Sequence, residues 1–121
     1  MPFVTMKGVD PATPQDILEK VERLLQKQLA LILRCPENWI EAYFPSDLLR
    51  KPRPTIECIL ETGLFQKLAP GEADEVAKQA CAKTTDIIFD NLAFQLGQTV
   101  EAFPQALRLD LHAIRKSAAS K

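Results

Sequence analysis

Ile40-Glu41-Ala42-Tyr43-Phe44-Pro45 and Val100-Glu101-Ala102-Phe103-Pro104 are one short string met twice in the same chain. Each runs from a β-branched residue through Glu-Ala and an aromatic into a proline. β-Branched and aromatic residues favour strands, and proline ends them. Each copy follows a long amphipathic stretch. Each of those stretches follows a second strand-like run, Pro2-Phe3-Val4-Thr5 in the first half and Pro54-Thr55-Ile56-Glu57 in the second. The order is therefore β-α-β, twice over. A β-α-β unit lays its two strands parallel through a right-handed crossover. Two units predict an α/β (α+β) domain, a four-stranded sheet with both helices on one face.

The helical stretches carry the matching signal. Thr13 is placed to cap, and Pro14 suits a first turn. Ile17, Val21, Leu24, Leu25, Leu29 and Ile32 then recur at three- and four-residue steps. This predicts a helix of about five turns, broken by Arg34-Cys35-Pro36-Glu37-Asn38. Glu19, Lys20, Glu22, Arg23 and Lys27 form its solvated side. A loop through Gly63, Pro70 and Gly71 precedes the second helix. That helix is predicted from Ala73 through Val76, Ala77, Ala80, Thr84, Ile87 and Ile88 to about Leu92 or Leu96, with Gly97 as its stop. Strands are predicted over residues 2–7, 39–44, 54–60 and 100–103. Repeat one then covers about 2–45 and repeat two about 54–104, inside a single domain over 1–121. The arm at 105–121 alternates Leu107, Leu109, Leu111 and Ile114, as a fifth strand or an extended segment does. The sheet face away from the helices needs cover. Trp39 and Tyr43 fall toward it, so a neighbouring subunit is expected there.

Composition narrows the function classes. A net charge of −1 lacks the basic surplus of a nucleic-acid-binding surface. The longest apolar run, Leu29-Ala30-Leu31-Ile32-Leu33, is too short to cross a bilayer. The N-terminus has no basic-then-apolar signal peptide. Cys35, Cys58 and Cys81 are odd in number and lack ligand spacing, so they read as reduced thiols of a cytoplasmic protein. His112 stands alone, which builds neither a His-based metal site nor a Ser-His pair. No cofactor, metal, nucleic acid or membrane partner is expected.

The chemical candidate is Pro2. Met1 before a proline is expected to be removed, leaving a secondary amine at the head of the first strand. Apolar surroundings disfavour the charged ammonium, so such an amine is poised as a base near neutral pH. A parallel β-α-β unit brings the start of its first strand near the exit of its helix, and hence brings Pro2 near Arg34. Arg34 has two readings: a cation beside the amine that also holds a carboxylate through two hydrogen bonds, or a helix-end charge complementing the dipole.

Three stretches carry a resemblance to a known family: the Pro2-Phe3-Val4-Thr5 strand; Arg34-Cys35-Pro36-Glu37-Asn38-Trp39-Ile40 running into a strand that ends at Pro45; and Pro54-Thr55-Ile56-Glu57-Cys58-Ile59-Leu60. Over about residues 2–104 the chain resembles the tautomerase superfamily, the group of macrophage migration inhibitory factor and the hydroxymuconate isomerases. The resemblance implies a homotrimer with its pocket at the subunit boundary. It implies Pro2 as the catalytic base, acting on a small 2-oxo acid whose carboxylate Arg34 holds. It places Phe103 as a pocket wall, where the family often has a Tyr or Asn on its last core strand. Phe103 cannot donate a hydrogen bond, and the arm after Pro104 is longer than the family's. The competing expectation is a non-catalytic module, of tautomerase fold or ferredoxin-like order, in which Pro2 is incidental. Arg50, Lys51 and Arg53 read as solvated loop charges, Trp39, Tyr43 and Phe44 as core or interface, and Cys58 and Cys81 as packing thiols.

Overall fold

The structure is a computed structural model that describes residues 2–46, 48–51, 53–94, 96–105 and 113–116. The principal elements run β1 (Phe3–Lys7), α1 (Gln15–Leu33), β2 (Glu41–Tyr43), β3 (Thr55–Glu61), α2 (Pro70–Ile88), β4 (Thr99–Pro104) and β5 (Ala113–Arg115). The sheet has five strands in the order β2-β1-β3-β4-β5. The four-stranded expectation is corrected by β5, which pairs antiparallel with β4 through Ala102↔Ala113 and Val100↔Arg115. Leu107, Leu109, Leu111 and His112 lie outside the described residues, as does Met1.

β1 pairs parallel with β2, and β3 pairs parallel with β4. The two units meet where β1 and β3 run antiparallel, with Phe3 opposite Glu61 and Lys7 opposite Glu57. No strand is inserted between the members of either unit. That excludes the ferredoxin-like expectation, whose β-α-β is split.

The repeat is present but slips along its own ladder. Pro2 O accepts from Glu41 N (3.2 Å), and Pro54 O accepts from Thr99 N (2.9 Å). With the two prolines matched, Glu41 corresponds to Thr99, two residues ahead of Glu101. A two-residue slip keeps every side chain on its own face. Ala42 and Ala102 therefore still turn toward the helices, and Tyr43 and Phe103 away from them.

Alternation and helical periodicity make one core. Val4, Met6, Ile56, Cys58, Leu60, Val100 and Ala102 descend from the strands onto Val21, Leu25, Leu29 and Leu33 of α1 and Val76, Ala77, Ala80, Cys81 and Ile88 of α2. Both helices lie on that one face. The other face carries Phe3, Tyr43, Ile59, Phe103 and Ile114 among Glu41, Glu57, Glu61, Glu101 and Lys7.

Element ends differ from the sequence expectation for identifiable reasons. Thr13 does not cap α1; its hydroxyl donates to Asp10 O (2.7 Å), and Pro14 takes the cap position with no side-chain bond. Trp39 is not in a strand. Pro36 opens a 3₁₀ turn over Glu37–Trp39, and the strand begins only at Glu41. α2 starts at Pro70, because proline fits a first helical position where its missing N–H is not needed. Past Ile88 the helix widens to a π turn over Phe89–Ala93, closed by Phe94 N on Phe89 O (2.9 Å). Gly97, at φ 66°, then reverses the chain as expected.

Candidate functional site

Pro2 sits at the amino end of β1, a strand flanked on both sides, and is buried. Its surroundings follow from the packing. Leu29 and Leu33 arrive on the buried side of α1, and Leu60 on that of β3. Phe3, Val4, Glu61 and Thr62 complete the wall. The space they enclose is only ≈10 Å³, about the room one water needs. Glu61 and Thr62 stand in its lining, which is almost wholly apolar. Sequence reading did not reach them, because they come to Pro2 through the antiparallel β1–β3 pairing, and no local pattern states that two repeats join this way.

Arg34 stands at the exit of α1 in the left-handed region (φ 57°, ψ 50°), its N–H bonded back to Ala30 O. Leu33 beside it lines the Pro2 wall, so the helix exit lies beside Pro2 as parallel pairing requires. The guanidinium itself turns elsewhere. Its Nη1 donates to Glu72 Oε1 in the first turn of α2 at 2.8 Å, with the two side chains 71% and 42% exposed. Arg34 is not among the residues lining the Pro2 space. Glu72 fell inside the predicted loop-to-helix junction, so its partnership with Arg34 had no sequence signal.

Phe103 is half-buried on the open face of the sheet, opposite Ile59. Three strands away, on β2, Tyr43 stacks edge-on against Phe3 (5.8 Å) and donates to Glu41 Oε2. That bond, followed by the Glu41 charge, raises the Tyr43 phenol above its ordinary value. Trp39 is exposed in its 3₁₀ turn, and Phe44 packs on the rim of the core.

The thiols behave as packing groups. Burial pushes Cys58 well above its ordinary range and Cys81 up to about 12. Cys35, less enclosed, is also raised by burial. Among the described residues no group of three or more His, Cys, Asp and Glu is placed to hold a metal ion. No described helix is long and apolar enough to cross a membrane.

One buried polar clasp escaped the sequence reading. Gln98 is buried, and its Nε2 donates to Gly8 O (2.9 Å) and Arg53 O (2.7 Å). It ties the exit of β1 to the entry of β3 from the foot of β4.

No family model matches the chain, and no curated protein does. Among solved structures, a domain of unknown function (DUF1904) from Sebaldella termitidis matches with 13% identity and a TM-score of 0.48. The match covers 93% of this chain and 94% of that one.

Proposed function

We propose that the chain is a tautomerase-like enzyme that moves a proton on a small 2-oxo acid, with Pro2 as its base. The observation that carries this reading is the burial of Pro2 at the head of a central strand, against Leu29, Leu33 and Leu60. Once Met1 is removed, an amine there is stripped of water, which favours its neutral, proton-accepting form. The amine takes the proton from the carbon next to the substrate's carbonyl and returns it to the enolate oxygen. Because the space beside Pro2 within one chain is ≈10 Å³, the reading requires neighbouring chains, as a homotrimer, to build the substrate pocket. It also requires Arg34 to leave Glu72. An exposed ion pair contributes about 0–1 kcal/mol, so an incoming carboxylate can compete for it.

The test uses untagged protein. Its intact mass reports whether Met1 is gone, and the enol absorbance of an aryl 2-oxo acid reports the proton transfer. Pro2→Ala is expected to abolish the activity, while Cys58→Ala leaves it in place. Retained Met1, or full activity in Pro2→Ala, refutes the reading.

A second reading rests on the Arg34–Glu72 pair and the small space together. As a non-catalytic module of the same fold, the chain would keep Arg34 as a clamp between α1 and α2. Wild-type protein that lacks Met1 and shows no activity on any 2-oxo acid favours this second reading.

A further inference from the structure

The opposite end of β1 carries a cavity of its own. Gly8 and Phe44, the residues that leave β1 and β2, line a cleft of ≈230 Å³ at the carboxyl ends of these two parallel strands. Open α/β sheets bind their ligands at that end, outside the strands. Six β1 steps separate Gly8 from Pro2, roughly 20 Å at strand rise, so this cleft is not the Pro2 space.

Its lining is selective. Arg50 and Lys51 stand on the loop that closes it, both exposed and neither in an ion pair with another described residue. Among the described residues of the lining Asp10 is the one acidic side chain, with its Oδ1 held by Ala12 N at 2.9 Å. These described residues together keep one positive charge in excess. Thr13 and Ser46 add hydroxyls, and Phe44 and neighbouring aliphatic residues make the floor apolar. Arg50 has a left-handed backbone (φ 50°), a conformation that glycine adopts at no steric expense and arginine does not. Thr13 and the uncapped first turn of α1 border the cleft, adding the positive end of the helix dipole.

We infer that this cleft binds a small organic monocarboxylate, its charge held between Arg50 and Lys51 and its flat apolar body laid on Phe44. The charge of the described rim residues suits one negative charge better than the two of a phosphate. The volume lies just below the usual range of about 300–1,000 Å³ for ligand pockets, which suits a body of about ten non-hydrogen atoms.

Benzoate, benzamide and inorganic phosphate are the probes, each titrated into isotopically labelled full-length protein by amide NMR. Benzoate is expected to give saturable shifts at Gly8, Val9, Thr13, Ser46 and Lys51, with a Kd of about 1 mM. Benzamide, its uncharged isostere, is expected to leave them unmoved, and phosphate to bind more weakly than benzoate. Arg50→Gly suits φ 50° and is expected to fold as well as wild type, yet to bind benzoate about tenfold more weakly, as loss of one charge-assisted contact implies. Lys51→Gln, a surface change, is expected to do the same. Non-saturating shifts, shifts centred elsewhere, equal binding of benzamide, tighter binding of phosphate, or undiminished affinity in both variants would each overturn the assignment.

Discussion

Gln98→Ala should destabilise the fold measurably, although the side chain belongs to no motif. The Gln98 side chain gives both of its amide hydrogens to carbonyls, Gly8 O at 2.9 Å and Arg53 O at 2.7 Å. Truncation takes a donor from both acceptors, which are partly buried. Gly8 O keeps a second bond from Arg53 N at 3.3 Å, so its loss is at the low end. A buried acceptor that loses its donor costs about 1–3 kcal/mol, and a partly buried one falls toward the low end. One term offsets this: Gln98 Oε1 is itself buried with no partner, and its removal relieves that desolvation. The net is about 1 kcal/mol. At about 2.1 cal/mol/K of unfolding entropy per residue, a chain of 121 residues loses about 4 °C of Tm. Thermal and urea unfolding followed by circular dichroism measure it, and the urea slope should stay unchanged. Gln98→Glu supplies the sign test. Its carboxylate would face two carbonyl oxygens, so the folded state should hold it protonated and raise its pKa. A raised folded-state pKa means that stability is present at low pH and lost as pH rises through that value. A Gln98→Ala protein within about 0.5 kcal/mol of wild type, or a Gln98→Glu protein indifferent to pH, would refute the clasp.

Three further outcomes are open to direct measurement. Arg34→Gly relieves a left-handed backbone (φ 57°) and gives up only an exposed ion pair, so unfolding stability should rise by about 0.5–1 kcal/mol; under the proposed mechanism, 2-oxo acid turnover in the same variant should fall. Gly8→Ala would set a Cβ 2.5 Å from Thr55 O at φ 93°, and its Tm should drop by about 12 °C, from about 3 kcal/mol of strain. Cys81 is held near 12 against an ordinary value of 9.0, so between these values the folded state keeps a proton that the unfolded state releases. Stability should therefore decline from about pH 9 upward, by as much as 1.4 kcal/mol per pH unit for that thiol, and native-state alkylation should reach Cys35 before Cys58 or Cys81.

The β-α-β order, the core faces of both helices and the hidden thiols were all legible in the chain, because each depends on local periodicity. Val21, Leu25 and Leu29 identify a buried helix side wherever that helix sits. Strand order was not legible in the same way. That β1 lies between β2 and β3 depends on contacts far apart in sequence, and Pro2-Phe3-Val4-Thr5 reads alike in any strand order. The two-residue slip between the repeats was hidden for a related reason. A shift by two preserves the face of every residue, so the pattern looked equally good aligned on the prolines or on Glu-Ala-aromatic. The polar groups at the site were the least legible. Glu72 beside Arg34, Glu61 beside Pro2 and Gln98 beneath Gly8 owe their roles to pairings between segments, and none belongs to a motif. Arg50 and Lys51 read as solvated charges because only the tertiary path of their loop sets them over a cleft.

The open sheet face decides how a trimer, if formed, must behave. Its apolar groups, Phe3, Tyr43, Ile59, Phe103 and Ile114, are spread across every strand, which favours burial against another chain. Its charges oppose that burial, since four glutamates (Glu41, Glu57, Glu61 and Glu101) face one lysine (Lys7) among the described residues. Glu57 and Glu101 stand directly opposite each other on neighbouring strands, about 4.8 Å apart by strand spacing. Faces of this kind repel one another when brought together in identical copies. Assembly through the face should therefore strengthen with salt, as the Debye length falls from about 10 Å at 0.1 M to about 3 Å at 1 M. Sedimentation velocity at low and high salt measures this directly. A trimer that dissociates as salt rises would mean that the subunits join through complementary charges elsewhere. A monomer at both salt concentrations would remove the neighbouring chains that the proposed 2-oxo acid pocket requires, leaving Pro2 against a space too small for any substrate.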